Sequence, residues 1–410
     1  MTITQPVVLP SLDRGAPPLG DGARRRFGFT LAIVAQVLMM FGASAPSPFY
    51  SVLADDIGFD TTVIAAVFAV YAVALLVTLL TAGSLSDHLG RRPVAAVGFV
   101  LLAGSMLLFW HAESVQLLMI ARIVQGAASG LLLSALSAAV LDLAPPAYPA
   151  RAVLWNALTP GIGLGLGALV AGAALDVTGE PLLDVFAPLA TAYVVLAVLF
   201  LFTPETAPRT PGAWASLSFR LLIPASIRAD FWRAAPAVVA GWATGGLFLS
   251  LGPNIVHNEL GVTTHFWQGI PLAILAGIGA LTAFTLRRRT PRTILIFGTA
   301  ALAVGTAVSL IALALGSLPA YLVATAVTGM GFGTAFSGVI ASLAPRIPAT
   351  QRADTFAVIY LLAYLSFGVP TVLAGMLVGV VGLEVVCIGY GAAVIVLAVV
   401  ALVLRVRRPA

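Results

Sequence analysis

Long apolar stretches, separated by short connections that carry most of the charged residues, are the dominant pattern of this chain. A helix needs about 20 mostly apolar residues to cross the hydrocarbon core of a bilayer. Stretches of that length therefore predict transmembrane helices. Twelve are indicated, over residues 27–53, 62–85, 93–112, 117–142, 153–176, 185–203, 234–256, 265–286, 294–316, 319–342, 355–381 and 384–404.

The predicted helices divide into two groups of six. Residues 27–203 contain the first group and residues 234–405 the second. The halves repeat weakly, since "ARIVQG" at 121–126 is similar to "ATAVTG" at 324–329. We therefore predict an all-α integral membrane protein with two pseudo-symmetric six-helix bundles. Secondary transporters use such repeats and bind their solute between them, near the middle of the membrane.

Three polar segments flank and join these bundles. Residues 1–26, rich in proline and glycine, are predicted to be a disordered N-terminal tail. Residues 204–233 are predicted to be a central linker, and residues 406–410 a short C-terminal tail.

Composition agrees with a membrane protein. The chain is 60% hydrophobic and 9% charged, whereas soluble domains carry about 25% charged residues. Its net charge of +5 results from 21 basic residues, all of them arginine, and 16 acidic residues. Twenty of these arginines fall in alternate connections or in the tails, which is the pattern of a topology signal rather than of a nucleic-acid-binding face. Both termini are therefore predicted to be cytoplasmic, in the inner (plasma) membrane of a cell.

The connection after the second predicted helix, "GSLSDHLGRRP", carries an acid and two arginines beside turn-forming glycine. Asp87 and Arg91 are spaced to pair across a tight turn, and Gly90 can adopt turn conformations that other residues avoid. From composition alone, a solvated turn with topological arginines is the simpler interpretation.

The spacing of this connection resembles the signature G-x-L-x-D-R-x-G-R-R of the major facilitator superfamily. Matching positions are Gly83, Leu85, Asp87, Gly90, Arg91 and Arg92, while His88 departs from the family's basic residue. The resemblance extends over residues 27–405 and implies the major facilitator fold. It also implies a cytoplasmic latch, in which Asp87 faces the start of the eleventh helix near Asp354 and Thr355, and the arginines pair with Asp142.

Arg122 is the one arginine predicted to lie inside a transmembrane helix. A charge at the bilayer centre costs at least ~2.5–3.5 kcal/mol and almost always faces a cavity or a partner. Gln125 and Ser129 share its helical face at i+3 and i+7. An arginine whose side chain extends to the outer surface is the structural alternative.

Arg122, Gln125 and Gly126 also resemble the R-x-x-Q-G pattern that the superfamily's proton-coupled exchangers carry on their fourth helix. The fifth predicted helix, "GIGLGLGALVAG", is rich in glycine but has Ala168 where the family's antiporter pattern has proline. Close helix packing through small residues explains that stretch equally well.

Proton coupling requires a group that titrates on the transport path. No acid is predicted deep in any helix. Asp55 and Asp56, at the outer end of the first helix, are the first candidates to act with Arg122 and Gln125. His257 and His265 are further titratable groups of an outer connection, although solvated loop residues are the simpler interpretation of all four.

Polar and aromatic side chains at apolar depth predict the wall of a substrate cavity. The candidates are Gln36, Met40, Ser44, Tyr71, Ser129, Trp242, Asn254, Trp267, Gln268, Tyr360, Tyr364 and Phe367. Each residue alone is typical of packing or of the membrane interface. Together they favour a hydrophobic or amphipathic organic solute over a sugar.

The sequence thus predicts a secondary transporter, not an enzyme, that exports a small organic molecule such as a drug in exchange for protons. Uptake or facilitated diffusion of a metabolite is the alternative, and a membrane sensor or scaffold that no longer transports is a remote one. No phosphate-binding loop of an ATP-driven pump occurs in the sequence. We expect no cofactor, metal or catalytic residue, and a monomer in the lipid bilayer.

Overall fold

A computed structural model describes residues 21–145, 150–207, 210–211, 221–348 and 351–406 of the chain. Within these residues the structure is built from helices. The first half contains α1 (Asp21–Ser44), α2 (Phe49–Ile57), α3 (Thr61–Ala82), α4 (Leu85–Leu89), α5 (Arg91–Trp110), α6 (Val115–Asp142), α7 (Ala150–Val177) and α8 (Pro181–Phe200). The second half contains α9 (Arg228–Ser250), α10 (Gly252–Leu260), α11 (His265–Leu286), α12 (Pro291–Ala314), α13 (Leu318–Leu343), α14 (Arg352–Val381) and α15 (Leu383–Val406).

The predicted twelve transmembrane segments are confirmed. Eleven stretches of the described chain are long and apolar enough to cross a membrane, and the bent pair α9 and α10 supplies a twelfth. The pair bends by 67° near Leu251, just before Pro253. Proline lacks the backbone N–H that would continue the helix, so a break is expected close to it.

A second break divides the first segment. Pro46 and Pro48 separate α1 from α2, and one continuous apolar stretch runs through both helices. Pro46 cannot donate the backbone hydrogen bond that the carbonyl of Gly42 would receive in a regular helix. The last carbonyls of α1 are therefore free to bind other groups.

The predicted disorder of the N-terminal tail is wrong for its last six residues, because α1 begins at Asp21. Arg25 donates a hydrogen bond of 2.6 Å to the carbonyl of Asp142, at the end of α6. Arg24 similarly reaches the carbonyl of Phe202, just after α8, at 3.4 Å. Cations stabilise the carbonyl end of a helix, which explains why this segment is ordered. Residues 1–20 lie outside the described part of the chain.

The two halves meet along two helix pairs. Helix α7 packs against α11, and α3 packs against α14. One large cluster of buried apolar residues lies within the first half, whereas another joins both halves through residues such as Phe68, Tyr71, Tyr364 and Phe367. The region between the halves is thus a continuous aromatic and aliphatic core.

Small residues allow the α7–α11 contact. A Cβ atom at Gly161 would lie 2.5 Å from the carbonyl oxygen of Ala276, and one at Gly172 would lie 2.6 Å from that of His265. The opposite face of α7, at Gly163 and Gly167, packs just as closely on α1. The glycines of the fifth predicted helix therefore serve close helix packing, on both of its faces.

Candidate functional site

Arg122 is buried in the first half, with 1% of its surface exposed. Its Nε donates a hydrogen bond to the hydroxyl of Tyr50, and one terminal nitrogen donates to the side-chain oxygen of Gln125. The same terminal nitrogen donates to the carbonyl of Ala43 at 3.2 Å. The guanidinium therefore points into the bundle, and the alternative of a side chain extended to the outer surface is wrong.

The broken first segment supplies the electrostatic partner of Arg122. Gln125 donates from Nε2 to the carbonyl of Gly42 at 2.7 Å, next to the carbonyl that Arg122 binds. Both carbonyls belong to the last turn of α1, where the helix carries a partial negative charge. The break at Pro46 frees them. A helix end, rather than a carboxylate, thus stabilises the buried cation.

Three aromatic rings complete this environment. The Cζ atom of Arg122 lies 5.3 Å from the ring centre of Tyr50, 5.2 Å from that of Tyr71 and 5.4 Å from that of Phe109. Ring faces attract cations at such distances, most strongly where water is excluded. The sequence did not single out Tyr50 or Phe109, because neither shares a helix with Arg122.

Asp55 and Asp56 lie elsewhere. Both are exposed on the outer part of α2, and no hydrogen bond or ion pair joins either of them to Arg122 within the described chain. Helix α2 places Tyr50 against Arg122, whereas Asp55 is five residues further along, or about 7.5 Å at helical rise. The expected proximity of Asp55 or Asp56 to Arg122 is therefore wrong.

An aromatic group lies across from Arg122 in the second half. The Trp242 ring centre is 4.8 Å from that of Tyr364 and 5.8 Å from that of Phe367. Phe367 in turn lies 4.8 Å from Phe68 of the first half. Tyr360 joins this group through Phe336, at 6.2 Å. Four of the predicted cavity residues are thus brought together, and Tyr71 belongs to the same inter-half core.

Other predicted cavity residues are bound within the first half. Gln36 donates to Ser137 and Asn156, both at 3.1 Å, and accepts from Thr159 at 2.7 Å. Ser44 donates to the carbonyl of Leu164 at 2.7 Å. These bonds join α1 to α6 and α7, so both side chains act in helix packing.

Met40 and Ser129 differ in their surroundings. Met40 packs on the core of the first half, beside α7. Ser129 is 2% exposed, and its hydroxyl lies beside that of Tyr71 in the core between the halves. It remains the candidate on the Arg122 face for a solute contact.

The last three candidates lie at the end of the bundles that the arginine pattern predicts to face outward, which we name the outer end. Asn254 and Gln268 line a cleft between the halves. Trp267 is 44% exposed, near the start of α11, and packs edge-on against Phe266. The structure therefore does not place Trp267 with the central aromatic group.

Of the predicted gate arginines at the other end, Arg91 pairs as expected, whereas Arg92 forms no ion pair with Asp142 within the described chain and its Nε is buried without a hydrogen-bond partner. Arg91 pairs with Asp87, and its Nε lies 3.4 Å from Asp142. Gly90 has a φ of 102°, a conformation that favours glycine. Gly83 accepts a hydrogen bond of 2.7 Å from Ser134 of α6 through its carbonyl.

Glu205 adds a contact that the sequence did not indicate. Its carboxylate accepts from the backbone N–H of Arg91 at 2.7 Å and of Arg92 at 3.2 Å. A carboxylate at a helix N-terminus is stabilising, so Glu205 secures the start of α5. His88, the departure from the family signature, lies 2.9 Å from the hydroxyl of Thr210.

No hydrogen bond or ion pair of the described residues joins Asp87 to the start of α14, so the predicted latch is not formed there. The Asp87 side chain is 57% exposed, and Thr355 donates its hydroxyl to the carbonyl of Gln351, the residue just before α14. Asp87 therefore does not bind the start of α14 in this conformation.

The outer end, by contrast, is closed across the halves. Asp176 accepts hydrogen bonds from the backbone N–H of His265 at 2.9 Å and of Phe266 at 2.8 Å, and its carboxylate also lies 2.9 Å from the His265 ring. Ser47 donates to the carbonyl of Leu249 at 2.5 Å. Hydrogen bonds thus join the halves at the outer end, whereas no bond of Asp87 joins them at the opposite end within the described chain.

Two helical bundles with a polar and aromatic centre between them define a membrane transport protein. A model of the Major Facilitator Superfamily matches residues 32–311. The chain belongs to this superfamily, as its sequence predicts.

Similar proteins include drug transporters. The probable actinorhodin transporter of Streptomyces coelicolor is 29% identical over 194 residues, which are 46% of this chain and 33% of that protein. The quinolone resistance protein NorA of Staphylococcus aureus is 22% identical over 114 residues, or 28% of this chain and 29% of that protein. The matches span about a third of these relatives.

Solved structures share the fold over most of the chain. The nucleoside transporter NupG, in a single-residue mutant form, matches with a TM-score of 0.71 at 16% identity, over 92% of this chain and 99% of its own. The human organic anion transporter MFSD10 matches with a TM-score of 0.65 at 17% identity and the same coverage. The major facilitator fold is therefore confirmed.

Proposed function

We propose that this transporter exports a small hydrophobic or amphipathic organic molecule in exchange for protons, from the cytoplasm of a bacterium. The observation that carries the proposal is the buried Arg122 site, which meets the aromatic group of the second half through Tyr71. A cation beside several aromatic rings suits a flat apolar molecule with an electron-rich or anionic group. Such a surface offers few of the hydrogen bonds that a sugar needs.

The conformation supports export, because it suits binding of solute from the cytoplasmic side. The outer end is held closed by Asp176 and Ser47, while Asp87 is free of α14. If the arginine-rich connections face the cytoplasm, this is the state that accepts solute from inside. Asp87, Arg91 and Asp142 would then act as a gate that closes in the opposite state.

Coupling would operate through the network around Arg122. Tyr50, Gln125 and the carbonyl of Ala43 are all neutral groups. A solute or proton that changes these hydrogen bonds also changes how well the buried charge is stabilised, so binding and conformation are linked. The drug-transporting relatives agree with this role. We further propose that the protein is a monomer with both termini in the cytoplasm.

Reconstitution into liposomes tests the proposal. Fluorescent amphipathic dyes and radiolabelled metabolites would be followed with a pH gradient of either direction and with none. We expect the dye to accumulate in the liposomes only when the gradient drives protons out of them, in the direction opposite to the dye. Collapse of the gradient should abolish this accumulation. Transport that ignores the gradient would indicate facilitated diffusion instead. Failure to move any solute, with binding retained, would favour a sensor or scaffold.

A further inference from the structure

A cleft of about 440 Å³ lies at the outer end, between the halves and apart from Arg122. Its first-half wall comes from the end of α2 and the start of α3, including Asp55, Phe59 and Asp60. Its second-half wall comes from α10 and α11, including Asn254, His257 and Gln268.

The first-half wall is acidic. Asp55 and Asp60 are both exposed, and neither belongs to an ion pair of the described chain. Asp60 uses one carboxylate oxygen to accept a hydrogen bond of 3.0 Å from the backbone N–H of Val63. Its second oxygen has no such bond within the structure. No arginine lines the cleft, so nothing in its wall neutralises the two carboxylates with a permanent positive charge.

The second-half wall carries an amide oxygen without a donor. Gln268 is 3% exposed and donates from Nε2 to the carbonyl of Val262 at 3.1 Å. Its amide oxygen is buried and has no hydrogen-bond partner. Asn254, 8% exposed, contributes a second amide to the same wall. Buried acceptors usually have a partner, so this oxygen indicates that a donor from a ligand belongs here.

We propose that the outer cleft binds a small organic cation, specifically a protonated amine. Its ammonium N–H groups would donate to Asp55, Asp60 and the Gln268 amide oxygen. Phe59, which lines the same wall, offers a ring face to the cation or to an apolar substituent. No single helix holds these groups, so the site exists only while the halves are together at the outer end.

Equilibrium dialysis of the purified full-length protein in lipid nanodiscs tests the site. The probes are 2-phenylethylammonium and 3-phenylpropionate, which resemble each other in size but carry opposite charges. At pH 8 we expect the ammonium to bind, and Asp55→Asn or Asp60→Asn to weaken it at least fivefold. Asparagine at position 60 keeps the helix cap. Glu113→Gln removes an exposed outer acid away from the cleft and should leave binding unchanged.

Further measurements complete the test. The double variant Asp55→Asn/Asp60→Asn should abolish ammonium binding. Unchanged binding in the double variant, or cleft-dependent binding of 3-phenylpropionate, would overturn the inference. If the double variant aggregates, the single variants decide.

Transport assays on the same preparations separate this inference from the proposed function. If no proton-driven export is measured but ammonium binding still depends on Asp55 and Asp60, the proposed export function is wrong and the cleft site is supported. Proton-driven export combined with no effect of either aspartate on ammonium binding would refute the site alone.

Discussion

Tyr50 and Arg122 are 72 positions apart in the chain, yet the tyrosine hydroxyl accepts a hydrogen bond from the arginine Nε inside the first bundle. The break between α1 and α2 makes this contact possible, because it turns the start of α2 toward α6. The same break frees the α1 carbonyls that stabilise the guanidinium. One irregularity in the first segment therefore builds most of the Arg122 site.

Arg122→Ala should abolish proton-coupled transport, and Arg122→Lys should reduce it at least tenfold. Lysine keeps the charge but lacks the planar fork that bonds Tyr50, Gln125 and Ala43 together. The measurement is dye export from proteoliposomes under a pH gradient. Full activity in both variants would show that Arg122 is not required for proton coupling.

Tyr50→Phe should lower transport by about tenfold or more with the fold retained. The change leaves a buried N–H of a charged group without its acceptor, which costs ~1–3 kcal/mol, and 1.4 kcal/mol corresponds to a factor of ten. Tyr390→Phe is the matched control, since that hydroxyl donates to the carbonyl of Ala243 at 2.7 Å in the second half. Equal losses in both variants would show that only stability had changed.

Asp87→Asn should slow turnover by about two- to tenfold, the effect expected when an anion is lost from a helix N-terminus. Solute affinity measured from the inner side should stay the same, because Asp87 does not bind α14 in the conformation described here. Asp87→Glu, which keeps the charge, should retain more of the turnover. Stopped-flow export rates and equilibrium binding give the two quantities, and an unaltered rate in Asp87→Asn would contradict a latch.

Asp176→Asn should increase opening at the outer end. Asparagine keeps only one acceptor oxygen and no charge, so α11 loses bonds at His265 and Phe266. Opening can be measured as thiol labelling of Ala72→Cys, a buried position near Gly368 of α14, after the single native cysteine, Cys387, is replaced by alanine. We expect labelling to rise about fivefold, equivalent to ~1 kcal/mol. Glu180→Gln, an exposed outer acid, should label like the parent.

Gly172→Ala should shift the same equilibrium by a steric route. The added Cβ would lie 2.6 Å from the carbonyl of His265, so the closed outer state must deform or open. Labelling at position 72 should rise, as in the previous variant. Gly179→Ala is the control, since a Cβ there meets nothing within 4 Å. A labelling rate in Gly172→Ala equal to that of the control would show that the α7–α11 contact does not hold the outer end closed.

The helices and the gate motif could be predicted because their signals are local. Apolar length indicates each span, and the gate residues Asp87, Gly90 and Arg91 lie within five positions of one another. Pro46 and Pro48 are an equally local signal for the break between α1 and α2, because proline cannot continue a helix. The bend near Leu251 was not predicted, although Pro253 carried a signal for it.

Of the partners of Arg122, Gln125 could be predicted from its spacing on the same helix. The other two are a tyrosine on another helix and the backbone carbonyl of Ala43, which no composition or spacing marks. The search for a titrating acid instead favoured Asp55 and Asp56, which are close in sequence to Tyr50 but lie at the outer surface. Likewise, Ser44 and Gln36 have the polarity expected of a cavity, yet neighbouring helices satisfy their hydrogen bonds.

The carbonyl ends that hold Arg122 are partial dipoles, and no carboxylate of the described chain pairs with it. Its full positive charge therefore remains in the membrane when the carrier is empty. Moving one elementary charge through the whole membrane voltage is worth ~2.3 kcal/mol per 100 mV. In each access state, Arg122 is connected to a different aqueous phase. The fraction of the membrane voltage that separates its charge from the cell interior therefore changes between the states. A negative interior would then favour the inward-open state of the empty carrier, which makes the return step sensitive to voltage.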